Sequence, residues 1–169
     1  MRLALLLLSV PAAAARPQPS PLSLRMEAGY LQPTDSGAAR GAGIGAGVAY
    51  RFTDQLAVVG SASQNVLWVR RAAGSDRIAR SVTALAAGLS AVLDITPVSP
   101  FVELSVVQLV PRGVASYSLA ARAGLGADFR LTPAVAVGLV VRTLTPLEGS
   151  NVLTAVGGAE VAARFVWTL

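Results

Sequence analysis

Apolar and polar residues alternate along the last fifteen residues of the chain, from Ala155 to Leu169. One of the two interleaved sets carries all of the charge in this stretch, at Glu160 and Arg164. The other set is apolar throughout and consists of Ala159, Val161, Ala163, Phe165, Trp167 and Leu169. Because successive side chains of a β-strand point to opposite faces, this period of two predicts a strand between two different environments.

The same alternation recurs along the chain and predicts eight β-strands. We place them at residues 23–31, 42–52, 56–69, 79–93, 101–110, 117–131, 135–145 and 153–169. Short turns follow the second, fourth and sixth strands, at Thr53-Asp54-Gln55, Thr96-Pro97-Val98 and Thr132-Pro133-Ala134. The other connections are longer, or richer in glycine, serine and charged residues. Eight strands joined in this way form an all-β, antiparallel, up-and-down meander.

Charged residues within the predicted strands lie on the face opposite to the apolar residues. They are Arg25, Glu27, Arg51, Arg80, Glu103, Arg122, Asp128, Arg130, Arg142, Glu160 and Arg164. An arginine facing lipid at mid-bilayer costs about 2–4 kcal/mol, so a membrane barrel with a polar lumen requires such a separation. Gln64 and Gln108 are the exceptions, since both are polar residues on the otherwise apolar face.

Aromatic residues and overall hydropathy also favour a transmembrane barrel. All nine aromatic residues lie near predicted strand ends, which predicts two interfacial girdles. They are Tyr30, Tyr50, Phe52, Trp68, Phe101, Tyr117, Phe129, Phe165 and Trp167. The mean hydropathy is +0.59, yet no uninterrupted apolar run of about 18 residues follows the N-terminus. Apolar residues spread over alternating positions are typical of β-strands that cross a membrane.

The N-terminus has the pattern of a cleaved signal peptide. Met1-Arg2 precedes a short apolar run and then small residues up to Ala15. A membrane anchor needs about 20 apolar residues, and this run meets Pro11 and Arg16 too soon. We therefore assign residues 1–15 to a signal peptide, 16–22 to a proline-rich lead and 23–169 to the barrel.

The terminal alternation resembles the closing strand of bacterial outer-membrane β-barrels, although Leu169 departs from their usual aromatic last residue. The mature chain as a whole resembles the small outer-membrane barrel superfamily, with its OmpA-like transmembrane domains and OmpX/OmpW-like porin-family proteins. This resemblance implies a location in the cell outer membrane and recognition by the barrel-assembly machinery. It also implies contact with outer-membrane lipid and lipopolysaccharide. The short turns correspond to the periplasmic end, and we expect a monomer.

Composition argues against several other classes of function. The chain has no histidine and no cysteine, so a serine nucleophile has no histidine base and thiolate metal sites are excluded. We expect no enzymatic activity, no cofactor and no metal. The net charge of +5 comes from scattered arginines, which argues against nucleic acid as a partner. The glycine-rich stretch 41–47 leads into a strand rather than a helix, which argues against nucleotide binding; its glycines would line a narrow lumen.

The lumen and the loops hold the candidate functional residues. Eight strands leave a lumen that side chains can fill, and an unpaired buried charge is costly. We therefore predict a lumen charge network of Arg25, Glu27, Arg122, Arg142 and Glu160. It either fills the core or acts as a gate whose re-pairing opens a small pore. As a second hypothesis, loop arginines contact lipopolysaccharide phosphates, namely Arg40, Arg70, Arg71, Arg77 and Arg112.

Three functions remain open from the sequence. The first is a structural outer-membrane barrel with its lumen plugged and at most minor pore activity. The second is a small porin or a transporter of small molecules, hydrophobic ones included, through a lateral opening. The third is a secreted lipocalin-like binding barrel, which would carry its apolar face inside and its charged face outside. A helical inner-membrane protein is the remaining alternative for the fold, and the period of two argues against it.

Overall fold

The protein is a closed barrel of eight antiparallel strands, each paired with its neighbours in sequence and the last with the first. The computed structural model describes residues 21–33, 40–70, 77–95, 97–112, 117–147 and 158–169. The strands are β1 Leu22–Pro33, β2 Arg40–Arg51, β3 Leu56–Arg70, β4 Arg77–Val92, β5 Val98–Pro111, β6 Ser118–Arg130, β7 Val135–Pro146 and β8 Gly158–Thr168. The predicted fold class is confirmed. In the described ranges, no helix is long and apolar enough to cross a membrane.

Strand bounds differ from the predicted ones mainly in the fifth strand, which begins at Val98 rather than at residue 101. The signal peptide, most of the proline-rich lead and residues 153–157 of the predicted last strand lie outside the described residues. We call the end with the short turns after β2, β4 and β6 the turn end. The opposite end, where β1, β3, β5 and β7 lead into the longer connections, is the loop end.

The register around the wall defines the tilt of the barrel. A row of paired residues that starts at Ser23 passes through every strand and returns to β1 at Pro33, ten positions farther along. Such a stagger over eight strands requires a strand tilt of about 35–45°. Cross-strand rows therefore climb from one end of the barrel toward the other as they pass around the wall.

The outside of the barrel is apolar. Large apolar side chains are freely exposed at its middle, including Ile44 at 70%, Leu104 at 66% and Leu125 at 65% of their surface. The charged residues in the middle of the strands face inward instead, and Arg142 and Arg164 keep only 3% of their surface exposed. The lipocalin-like alternative, with apolar residues inside and charges outside, is therefore wrong.

Eight of the nine aromatic residues point outward, as the girdle prediction requires. The prediction is wrong for Phe101, which is 4% exposed and points into the lumen. Phe101 lies near a strand end, but it shares the inward face of β5 with Glu103. The alternation along the strand decides its direction, because a one-residue offset moves a side chain to the opposite face.

The glycines of β2 make room for side chains of β3 inside the barrel. A Cβ added at Gly43 would collide with the Asn65 side chain, and one added at Gly45 would lie 2.9 Å from Ser63 Cβ. The close approach of the two strands' inward faces therefore requires glycine here. The stretch is a strand throughout and opens no helix, so it lacks the context of a dinucleotide-binding motif.

The inward side chains form two distinct layers. Nearer the loop end lies an apolar layer of Leu67, Val82, Ala84, Val107 and Leu109, with Leu31 and Leu144 packed against it. Nearer the middle lies a charged layer of Arg25, Glu27, Glu103, Arg122, Asp128, Arg142, Glu160 and Arg164. The charged layer contains four arginines and four carboxylates, so its formal charges balance.

Candidate functional site in the lumen

Glu103 is the centre of the charged layer. Its Oε1 accepts hydrogen bonds from Arg25 Nη1 at 2.6 Å and from Arg164 Nη1 at 2.7 Å. Its Oε2 accepts a third from Arg142 Nη2 at 3.3 Å. Glu103 comes from β5, whereas its three partners come from β1, β7 and β8. The carboxylate therefore connects opposite sides of the barrel wall.

Arg142 joins Glu103 to the carboxylates that the sequence placed in the network. Its Nη2 donates to Glu27 Oε1 at 2.6 Å, and its Nη1 lies 3.4 Å from Glu160 Oε1. The structure thus brings Arg142, Glu27 and Glu160 together. The Nε atom of Arg142 is buried and has no hydrogen-bond partner, so the carboxylates bind only the outer edge of its guanidinium.

Arg164 forms the second branch of the layer, toward the turn end. Its Nε and Nη2 donate to the two carboxylate oxygens of Asp128, at 3.1 and 2.5 Å. Its guanidinium carbon also lies 3.6 Å from the centre of the Phe101 ring. This bidentate pair over an aromatic face is a geometry that favours arginine over lysine.

Arg122 lies in the layer but differs from its other arginines. Its Nε donates to Ser105 Oγ at 3.1 Å, and Nη2 lies 3.5 Å from Ser61 Oγ. Across the described ranges, no carboxylate lies within salt-bridge distance of its guanidinium. Of the five predicted network residues, the structure therefore ion-pairs four and leaves Arg122 on hydroxyl groups.

Three members of the layer were absent from the predicted network: Glu103, Asp128 and Arg164. All three carried the required signal, because each lies on the charged face of its strand. The prediction used approximate height along the strands and had no means of pairing β5 with β1, β7 and β8 across the lumen. As a result, it placed Arg25 in the network without its actual partner, Glu103.

Two small cavities lie on either side of Arg122. The one toward the apolar layer has a volume of about 50 Å³, and the one toward Glu103 about 30 Å³. Arg122, Glu160 and Ser63 line both. Each cavity has space for a few water molecules but is much smaller than the roughly 300 Å³ of a typical ligand pocket.

Those predicted lipopolysaccharide contacts that fall within the described residues lie at the loop end. Arg40 and Arg112 are exposed there, and Arg70 is the cross-strand partner of Arg77 at the ends of β3 and β4. Arg71 lies outside the described residues. Within the described ranges, no group of three or more histidine, cysteine or acidic residues could hold a metal ion.

The fold matches solved small barrels at low sequence identity. Neisserial surface protein A superposes with a TM-score of 0.61 and 17% identity, covering 89% of this chain and 98% of that one. The N-terminal β-barrel domain of OprF from Pseudomonas aeruginosa gives 0.59 and 15%, over 90% and 100% of the two chains. A barrel from the de novo design of transmembrane β-barrels gives 0.59 and 17%, over 90% and 98%. No protein-family model and no curated protein matches the sequence.

These matches confirm the resemblance to small eight-stranded outer-membrane barrels at the level of the fold. Natural neighbours of this fold are bacterial outer-membrane proteins, in agreement with the location predicted from the sequence. The designed barrel matches the fold as well as the natural barrels do. A function must therefore be argued from this chain's own lumen and surface.

Proposed function

We propose that this chain is an integral outer-membrane barrel with a structural role in the cell envelope and a closed lumen. The observation that carries the proposal is the position of Glu103, which binds arginines from three other strands across the middle of the barrel. The apolar exterior fits lipid, and the charged layer fills the lumen where a pore would need an open path.

Closure of the lumen rests on the energetics of buried ion pairs. The side chains of Glu103, Arg142 and Arg164 keep 7%, 3% and 0% of their surface exposed. Removing one partner of such a group leaves an uncompensated charge, so the layer resists opening. The cavities beside it are discrete and water-sized, which supports at most minor pore activity.

The test is ion conductance of the refolded protein in planar bilayers. We expect negligible current from the native chain and a measurable current from Arg142→Ala, because that change removes the guanidinium shared by Glu27, Glu103 and Glu160. Val141→Ala is the matched control, since Val141 is the neighbouring residue and faces lipid with 45% exposure. A steady native current that Arg142→Ala leaves unchanged would contradict a closed lumen.

The alternative of a transporter for small molecules draws on the apolar layer, whose leucines and valines border the larger cavity. That cavity holds only water-sized molecules, so transport would require the layer to rearrange. The same planar bilayers distinguish this candidate. A transporter would move a polar solute across the bilayer in its native form, without the Arg142→Ala substitution.

Further partners follow from the surface. The exposed guanidiniums of Arg40 and Arg112 at the loop end suit the phosphates of lipopolysaccharide. The alternating apolar face of β8, with Phe165 and Trp167 and with Leu169 directly after the strand, supports recognition by the barrel-assembly machinery. A non-enzymatic role is supported by the charged layer, where Glu27, Glu103, Asp128 and Glu160 each lie within 4 Å of an arginine.

A further inference from the structure

Two glutamines face outward from the barrel wall, where an apolar side chain is expected. Gln64 on β3 is exposed, and Gln108 on β5 is half-buried opposite Leu85 and Leu119 of the adjacent strands. Hydrocarbon offers an amide no hydrogen bonds, so its polar atoms need partners within the protein. The two glutamines are thus a feature that a purely lipid-facing wall does not explain.

Gln64 has partners within its own chain, but they use only part of its capacity. Its Nε2 donates to Ser81 Oγ, and its Oε1 accepts a hydrogen bond from Thr83 Oγ1 at 2.9 Å. An amide has two donor protons and two acceptor positions, so half of them are left. Within the described ranges, no hydrogen bond joins the Gln108 side chain to another residue. We call Gln64, Ser81, Thr83 and Gln108 the polar patch.

The polar patch lies deep within the apolar band of the wall. On β3, Gln64 stands six residues from Val58, which pairs with Tyr50 of the turn-end girdle, and four residues from Trp68 of the loop-end girdle. The ten residue steps from Val58 to Trp68 span about 25 Å along the membrane normal at the rise and tilt of barrel strands. This is the height of the apolar band of an outer-membrane barrel.

Gln64 and Gln108 lie at similar depth on the two strands that flank β4. Gln108 and Ala62 lie on the same row of paired residues around the wall. This row begins at Phe165 near the turn end and reaches Leu119 near the loop end. With a stagger of ten residues over eight strands, the row climbs by just over one residue per strand. Two strands beyond Ala62, Gln108 therefore lies about level with Gln64, which is two residues above Ala62.

We propose that the polar patch is the contact surface of a homodimer, with its two-fold axis along the membrane normal beside β4. Such an axis brings the β3 side of one copy against the β5 side of the other. Gln64 then meets Gln108 of the second copy, and Gln108 meets Gln64 of the second copy. The remaining amide groups are self-complementary, whereas acyl chains offer no hydrogen bonds. Leu85, on β4 between the two glutamines, packs against Leu85 of the second copy at the axis.

Disulfide cross-linking tests the dimer directly, because the chain has no native cysteine. Gln64→Cys and Gln108→Cys variants are refolded into phospholipid vesicles, alone or as an equal mixture, and oxidised. We expect the mixture to give several-fold more cross-linked dimer than either variant alone, because the axis pairs position 64 with position 108. A mixture of Leu125→Cys and Leu139→Cys, on the exposed wall of β6 and β7, measures random collision.

Equal cross-linking in the glutamine and leucine mixtures would overturn the dimer. The dimer would also be overturned if the mixture of Gln64→Cys and Gln108→Cys gave no more cross-linked product than either variant alone. Each cysteine substitution removes one of the two glutamines in its copy, so a second measurement uses the chain without cysteine. We expect the Gln64→Leu/Gln108→Leu double variant to dissociate about ten-fold more readily in detergent micelles by sedimentation equilibrium, with its circular dichroism unchanged. A native chain that sediments as a monomer at every protein-to-detergent ratio would also overturn the proposal. Such a dimer replaces the monomer expected from the sequence.

Discussion

The charged layer and the apolar layer occupy neighbouring levels of one lumen and are built from the same inward positions of the strands. β5 contributes to both, because Glu103 and Val107 lie four residues apart on one face. The charged layer joins the wall through directed hydrogen bonds between distant strands. The apolar layer fills its level through undirected contacts among leucines, valines and alanine. The two should therefore respond differently to the loss of a single side chain.

The largest expected effect is that of Glu103→Gln. Three arginines lose their shared carboxylate, and the charge removed from a buried group is not replaced. We expect the free energy of unfolding in urea to fall by about 3–5 kcal/mol, as measured by tryptophan fluorescence in lipid vesicles. A loss below that of an apolar-layer variant would mean that the ion pairs contribute little beyond filling space.

A smaller loss is expected from Leu109→Ala in the apolar layer. Leu109 is 5% exposed and borders the larger cavity, so some of its packing partners are already missing. We expect a loss of about 2 kcal/mol, at the low end for such a truncation, in the same urea titration. The conductance should stay negligible because the charged layer is intact. A current as large as that of Arg142→Ala would instead assign closure to the apolar layer.

The smallest effect is expected from Glu160→Gln. It replaces a carboxylate by an amide, as Glu103→Gln does, but at the edge of the charged layer. Glu160 has one arginine partner at 3.4 Å, and its side chain keeps 29% of its surface exposed. Solvent screens such a pair, so the free energy of unfolding should fall by about 1 kcal/mol or less. An effect equal to that of Glu103→Gln would show that position within the network is unimportant.

The alternation of side chains predicted most of the fold, because burial on one face and lipid on the other act at every residue of a strand. It also predicted which charges face inward, Glu103 and Arg164 among them. It could not predict their partners, since Glu103 reaches strands β1, β7 and β8 only through barrel closure and stagger. Phe101 shows the reverse error: its closeness to a strand end suggested a girdle, and its inward parity places it beneath Arg164.

Closure of the barrel pairs its first strand with its last. Ser23 pairs with Thr168, and Pro33 pairs with Gly158, whereas every other strand pair joins neighbours in sequence. The closing contacts thus have the greatest sequence separation among the described strand pairs, and contacts of this kind slow folding. Until β8 pairs with it, β1 keeps a free edge whose amide and carbonyl groups hydrocarbon cannot satisfy. Insertion is therefore completed only once β8 is present, and a chain truncated before Gly158 cannot close.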